Sequence, residues 1–135
     1  MTPVRQRNVA LILARELAVN LATPMWIWDE NGELVFANEH VHEILGSPHR
    51  DVGVGKLEDL PSFEPRDLDG RPIPKDELPS AVALQRKEPS HRELLIVGRD
   101  GVERALTVTA FPLFARDGEF VGAMSVFWEL PEGER

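Results

Sequence analysis

Apolar and polar positions along this chain change their period several times, and each change marks a different kind of element. Over Arg5 to Leu21 the apolar residues Leu11, Ala14, Ala18 and Leu21 recur at heptad spacing, with Val4 one heptad earlier and Asn8, Arg15 and Glu16 elsewhere on the wheel. This spacing predicts an amphipathic helix, less clean in its first turn because Arg7 falls on the apolar stripe. Pro24 favours an extended residue before it. Met25 to Asp29 then reads as a strand, Asp29-Glu30-Asn31-Gly32 as a turn, and Glu33 to Ala37 as the returning strand of a hairpin. Asn38 is placed to cap a helix of about two turns whose apolar face is Val41, Ile44 and Leu45, and Gly46 supplies the left-handed residue that ends it.

From Ser47 to Pro89 the chain holds seven of its eleven prolines, so loops and short helical turns are expected there. The best helix candidate is Lys75 to Lys87, with Leu78, Ala81, Val82 and Gln85 on one face and Pro79 tolerated in the first turn. The last third is β. Glu93 to Val97, Glu103 to Phe114 and Glu119 to Leu130 form a meander joined by the turns Arg99-Asp100-Gly101-Val102 and Ala115-Arg116-Asp117-Gly118. Pro112, late in its strand, predicts a bulge or an unpaired edge.

Composition bounds what such a chain can do. Its 135 residues, 42% hydrophobic and 28% charged, suit one domain with a core of its own. The longest apolar run, Val9 to Ala14, falls far short of the roughly 20 residues of a membrane helix, and Arg15-Glu16 follows it at once, which also argues against a signal peptide. A cytoplasmic protein with no membrane partner is expected. The chain has no cysteine, which removes disulfides, thiolate metal sites and thiol nucleophiles together. A net charge of -8 repels phosphates, so no nucleic-acid partner is expected.

Candidate chemistry fails on spacing. His42-Glu43-Ile44-Leu45-Gly46 begins as a zinc-protease helix does but has glycine where the second histidine is needed. Both His40 and His42 are therefore expected to face solvent. Gly53-Val54-Gly55-Lys56-Leu57 imitates a phosphate-binding loop, yet Leu57 stands where a hydroxyl must take magnesium. Asp67-Leu68-Asp69-Gly70 lacks the later carboxylates of a calcium loop and reads as a turn. No residue is assigned a catalytic or metal-binding role.

The run from Trp26-Ile27-Trp28-Asp29-Glu30-Asn31-Gly32 through Glu33-Leu34-Val35-Phe36-Ala37-Asn38 carries a resemblance. So do Ile44-Leu45-Gly46, Asp69-Gly70-Arg71-Pro72-Ile73-Pro74 and Glu77-Leu78-Pro79. It continues in Arg99-Asp100-Gly101, Ala110-Phe111-Pro112-Leu113, Asp117-Gly118, Val121-Gly122 and Val126-Phe127-Trp128-Glu129-Leu130. In this order, over about Leu17 to Leu130, the chain resembles the PAS domains of bacterial signalling proteins. The resemblance implies an α+β fold, a five-stranded antiparallel sheet with short helices on one face and the N-terminal amphipathic helix on the other. Residues 1–21 would be the dimerisation helix, 22–130 the PAS domain and 131–135 a tail. A cysteine-adduct flavin is excluded, the chain having no cysteine, and the helix candidate Lys75 to Lys87 holds no histidine for haem. The cofactor stays unnamed.

By the same likeness the helix-covered inner face carries Trp26, Trp28, Leu34, Phe36, Leu106, Val108, Ala110, Ala123, Ser125 and Phe127, where related domains bind ligands. Two indoles there favour a filled core, although Ala110, Ala123 and Ser125 leave room opposite them. Met25, Ile27, Val35, Thr107, Thr109, Phe111, Met124, Val126 and Trp128 would form an outer face too apolar to leave in water. The N-terminal helix alone scarcely hides it. A homodimer is expected, side by side or helix-swapped, with Leu11, Ala18, Leu21, Met25, Ile27, Met124, Val126 and Trp128 near the contact. The expected function is a sensory or regulatory module in signal transduction, its cavity taking a small apolar or aromatic ligand and its dimer relaying the state. A ligand-free interaction and dimerisation module is the alternative, and a small enzyme on this fold ranks last, because the inner list holds no ionisable residue. The downstream partner, whether kinase, phosphatase or transcription regulator, is not specified.

Overall fold

Four tight loops of one design turn the chain back on itself, at 29–33, 67–71, 98–102 and 115–119. In each, the first residue's N–H donates to the carbonyl of the fifth at 2.7 to 2.9 Å, and a glycine in fourth place donates to the carbonyl of the first. Those glycines, Gly32, Gly70, Gly101 and Gly118, have φ between 79 and 88°, a left-handed conformation that a side chain disfavours. An aspartate completes each loop. Asp29 and Asp67 accept from the N–H groups two and four residues on, at 2.9 to 3.0 Å. Asp100 and Asp117 accept from the N–H two residues on, at 3.1 Å. The Arg104 guanidinium also grips the Asp100 carboxylate through both nitrogens, at 3.1 and 2.7 Å, and this contact foremost holds the Asp100 pKa down at about 2.

The computed structural model describes residues 9, 11–14, 23–45, 63–98 and 100–131. In chain order these form β1 (Met25–Asp29), β2 (Leu34–Ala37), α1 (Glu39–Leu45), a 3₁₀ turn (Lys75–Glu77), α2 (Pro79–Gln85), β3 (Ser90–Val97), β4 (Glu103–Phe114) and β5 (Phe120–Glu129). The strands make one antiparallel sheet in the order β2-β1-β5-β4-β3. The first strand therefore lies beside the last, from Met25 opposite Val126 to Asp29 opposite Gly122. That contact needs Gly122. Its φ is 155°, and a Cβ there would run into the Trp28 carbonyl oxygen and come within 3.1 Å of the Asp29 Cα.

The expected helix over Lys75 to Lys87 is two pieces, because Leu78 is extended at φ -69° and ψ 144°. The residue before a proline avoids the helical region, and Pro79 then takes the first helical position of α2, where its missing N–H costs nothing. Pro112 lies past the end of β3, which pairs no further than Ala110, and the β4–β5 register shifts just beyond it, between Leu113 and Phe114. Asn38 ties the start of α1 to the start of β1: its Nδ2 donates to the Thr23 carbonyl at 2.7 Å and its Oδ1 accepts from the Met25 N–H at 3.3 Å. His42 corrects an expectation, being only 6% exposed. Val41, His42, Ile44 and Leu45 are all buried. Together they sweep an arc of about 160° at 3.6 residues per turn, wider than the usual apolar stripe.

Packing divides into two layers. Above the inner face Trp28, Leu34, Leu106 and Phe127 join Val41 and Ile44 of α1 in one cluster. On the outer face Met25, Ile27 and Met124 are sealed by Ala14, with Leu11, Phe36 and Val126 packed around them. Phe36, read as an inner residue, thus belongs to the outer side. A bulge causes this: Trp28 faces Leu34, but Ile27 faces Phe36, so Val35 is an extra residue and the parity of β2 flips across it. Residues 11–14 are helical, and most of the amphipathic stretch over 5–21, including Ala18 and Leu21, lies outside the described residues.

Gly122→Ala is expected to lower the unfolding free energy in urea by at least about 2 kcal/mol. Gly118→Ala, whose Cβ would meet nothing within 4 Å, is expected to lose only about 1 kcal/mol through its positive φ. Equal losses at the two positions would show that the close approach of β5 to β1 is unimportant.

Candidate functional site

The inner face of the sheet is not closed over by its own side chains. A cavity of about 800 Å³ lies against it, within the range of small-molecule sites. Its floor is Trp26 of β1, Phe127 of β5, Leu106 and Val108 of β4, and Leu94 and Ile96 of β3. Phe63, Ile73 and Leu78 from the proline-rich segment and Ala81 and Leu84 of α2 close its apolar walls. Charged residues contribute as well: Glu30, Glu64, Arg66, Lys75 and Asp76.

Four of the ten residues expected at this site line the cavity, namely Trp26, Leu106, Val108 and Phe127. Trp28 and Leu34 are buried in the core with α1 instead, and Phe36 lies on the other side of the sheet. The room expected above Ala110, Ala123 and Ser125 is filled by α2. Ala83 of that helix packs on Ala110 and Ala123, all three fully buried. The Ser80 hydroxyl meets that of Ser125 at 2.6 Å in a buried pair. Small residues on the sheet let the helix come down onto it, so the open space is displaced toward β3. Leu94 and Ile96 were legible as alternate positions of one strand, but Phe63 and Ile73 stand among prolines with no period to mark them.

Trp26 stands edge-on to Trp28, with ring centroids 5.1 Å apart at 68°, and its ring lies 5.4 Å from that of Phe127. Both indole Nε1 atoms are buried without a hydrogen-bond partner among the described residues, as is Nε of Arg66. Arg66 is held by its backbone, which exchanges hydrogen bonds with Leu95 at 2.9 and 2.7 Å, and by its Nη2, which donates to Glu103 Oε2 at 2.8 Å. Glu64 adopts φ 51°, rare for a residue other than glycine and typical of places where surrounding structure enforces strain. Among the described residues no group of three or more His, Cys, Asp or Glu could hold a metal ion. Among the described residues no histidine lines the cavity, so the described lining does not fit an axially ligated haem, and the chain has no cysteine for a flavin adduct.

The outer face differs from the expected partner surface. Met25, Ile27 and Met124 are 3, 0 and 1% exposed, covered within the chain by the turn at 11–14. Of the residues expected on this face Trp128 at 45% and Val35 at 40% stay open, as do Val9, Ile12 and Leu13 of the N-terminal segment at 44, 56 and 64%. The second apolar side of the N-terminal segment was present in the run Val9 to Ala14 but was obscured by the heptad stripe. Among the described residues no helix is long and apolar enough to cross a membrane.

This architecture is that of a known family. The family model for the PAS domain matches residues 22–129, and the chain belongs to that family of sensory and signalling modules. Its fold is similar to the PAS domain of the fruit-fly ELK potassium channel, with a TM-score of 0.70, 11% identity, and coverage of 89% of this chain and 96% of that one. The PAS domain of Bordetella pertussis BvgS is similar with a TM-score of 0.62 and 17% identity, over 92% of this chain and 89% of that one. The light-state dimer of the fungal blue-light photoreceptor Vivid is similar with a TM-score of 0.61 and 16% identity, over 96% and 95% of the two chains. At these identities the likeness is one of fold. Among curated proteins none matches the chain.

Ser125→Ala leaves the Ser80 hydroxyl buried without its partner, and the expected loss is about 1 to 3 kcal/mol in urea unfolding. The double variant Ser80→Ala/Ser125→Ala, with no polar atom left unpaired, is expected to recover most of that loss. A double variant less stable than the single would show that the pair matters for some other reason.

Proposed function

We propose that this PAS domain is a sensor in which a small apolar or aromatic molecule occupies the inner cavity and its occupancy alters how the outer face engages a second copy of the chain. The observation that carries the reading is the cavity itself. It is large enough for a ligand at about 800 Å³, and its floor is entirely aromatic and aliphatic. The open apolar residues Val9, Ile12, Leu13 and Trp128 support the dimer, since a monomer gains nothing from presenting them to water. Vivid, of similar fold, forms a light-state dimer. The N-terminal segment is the dimerisation element in this reading, and no catalytic role is proposed.

Mass spectrometry of molecules released from natively purified protein is expected to recover one apolar or aromatic compound, at reduced yield from Val108→Trp, whose indole would project from the floor into the cavity. Repeated recovery of nothing would favour the ligand-free interaction module instead. In sedimentation at micromolar concentration the protein is expected to be a dimer and Leu13→Glu a monomer; a wild-type chain that stays monomeric removes the relay.

A further inference from the structure

The cavity is polar at one side only, and this inference about its ligand rests on the sensor reading above. Its floor is aromatic and aliphatic, with Trp26 and Phe127 beside Leu94 and Val108. Glu30, Asn31, Glu64, Lys75, Asp76 and Gln85 line the same cavity and are exposed to solvent. A lining residue that also meets water stands at the opening, so these six form the mouth. A molecule apolar throughout, seated on the floor, would end among charged and amide groups and strip water from them without replacing their hydrogen bonds. An amphipathic molecule avoids that cost: its body lies on the floor and its polar end stays in the water at the mouth, as long charged side chains do at apolar surfaces.

The balance of charge sets the sign of that end. Three carboxylates, Glu30, Glu64 and Asp76, stand at the mouth with one ammonium, Lys75. Arg66, the other cation of the lining, is paired with Glu103 at 2.8 Å, so it adds little to the field. Residues 46–62, which precede the wall residue Phe63, carry two arginine or lysine side chains and three carboxylates, and the whole chain has a net charge of -8. An opening with this surplus attracts a positive group and repels a negative one. We propose that the ligand is a cationic amphiphile, with an aromatic or aliphatic body on the apolar floor and an amine or other cationic head at the mouth among Glu30, Glu64 and Asp76.

Three probes with one body and different heads test this: naphthylethylamine, a cation at pH 7; naphthylethanol, neutral; and naphthylacetate, an anion. Binding to the whole chain is followed by titration calorimetry at low and at high salt. At low salt the amine is expected to bind at least about tenfold more tightly than the acetate, with the alcohol between them, since each exposed charge pair is worth up to about fivefold. Salt should narrow the gap by screening. Glu64→Gln should weaken the amine by about two- to fivefold and move the alcohol by less than about twofold. Lys75→Gln should act with the opposite sign, tightening the amine and weakening the acetate, which a merely structural loss would not do. Equal binding of amine and alcohol, tightest binding of the acetate, or losses in Glu64→Gln that are the same for amine and alcohol overturn the cationic head and leave the cavity as a ligand site. If none of the three binds, the sensor reading fails together with this one.

Discussion

The antiparallel ladder between β1 and β5 is the contact on which the rest of the structure depends. It joins strands far apart in the chain, so forming it carries the entropy cost of closing the long loop between them. Two adjacent residues of β1, Ile27 and Trp28, are both fully buried, and alternation sends them to opposite faces of the sheet. A single strand thus anchors both hydrophobic layers. The ladder has one steric requirement, the missing Cβ of Gly122, where the β5 backbone passes against Trp28 and Asp29. A larger residue there would push the two strands apart at the point where both layers meet.

Much of this architecture was legible because it is written in local chemistry. The glycines that close the four loops stand in fourth place each time, with an aspartate to satisfy nearby N–H groups, and such signals act within five residues. The bounds of β1 and β4 followed directly from them. Phe36 was not legible for the opposite reason. Its face is set by a bulge in the pairing with β1, and nothing in the alternation of Leu34, Val35 and Phe36 announces that one residue is extra. His42 was misread on the same principle. Whether a helix edge is buried depends on how much of its circumference the neighbouring elements cover, which its own apolar period does not state.

The site shows how strand parity can place a residue on the right face and still miss the pocket. Trp28, Leu34, Ala110, Ala123 and Ser125 are inner-face residues, but α1 and α2 already occupy the space above them. The bulk of the two indoles implies a filled interior only where the inner face is one compartment. Trp28 fills the end beneath α1, whereas Trp26 is left as a wall. The open volume extends toward β3 and under residues 63–84, where the sequence carries isolated apolar side chains between prolines. Such residues are recognised as lining only when the loop that carries them is in place.

In the proposed sensor, β1 is also the route by which occupancy could reach the outer face. Trp26 borders the cavity, and its chain neighbours Met25 and Ile27 point the other way, into the cluster that Leu11 and Ala14 cover. A close-packed layer has little slack to absorb a displaced ring. A ligand that fixes the Trp26 indole therefore restricts β1, and through β1 it restricts the seat of the N-terminal segment. The far side of that segment presents Val9, Ile12 and Leu13 to solvent. Coupling of this kind requires two arrangements of that seat, each favoured by a different state of the cavity. The two-sided burial of one strand supplies the mechanical link, and the apolar residues beyond it supply the surface on which a second chain would register the change.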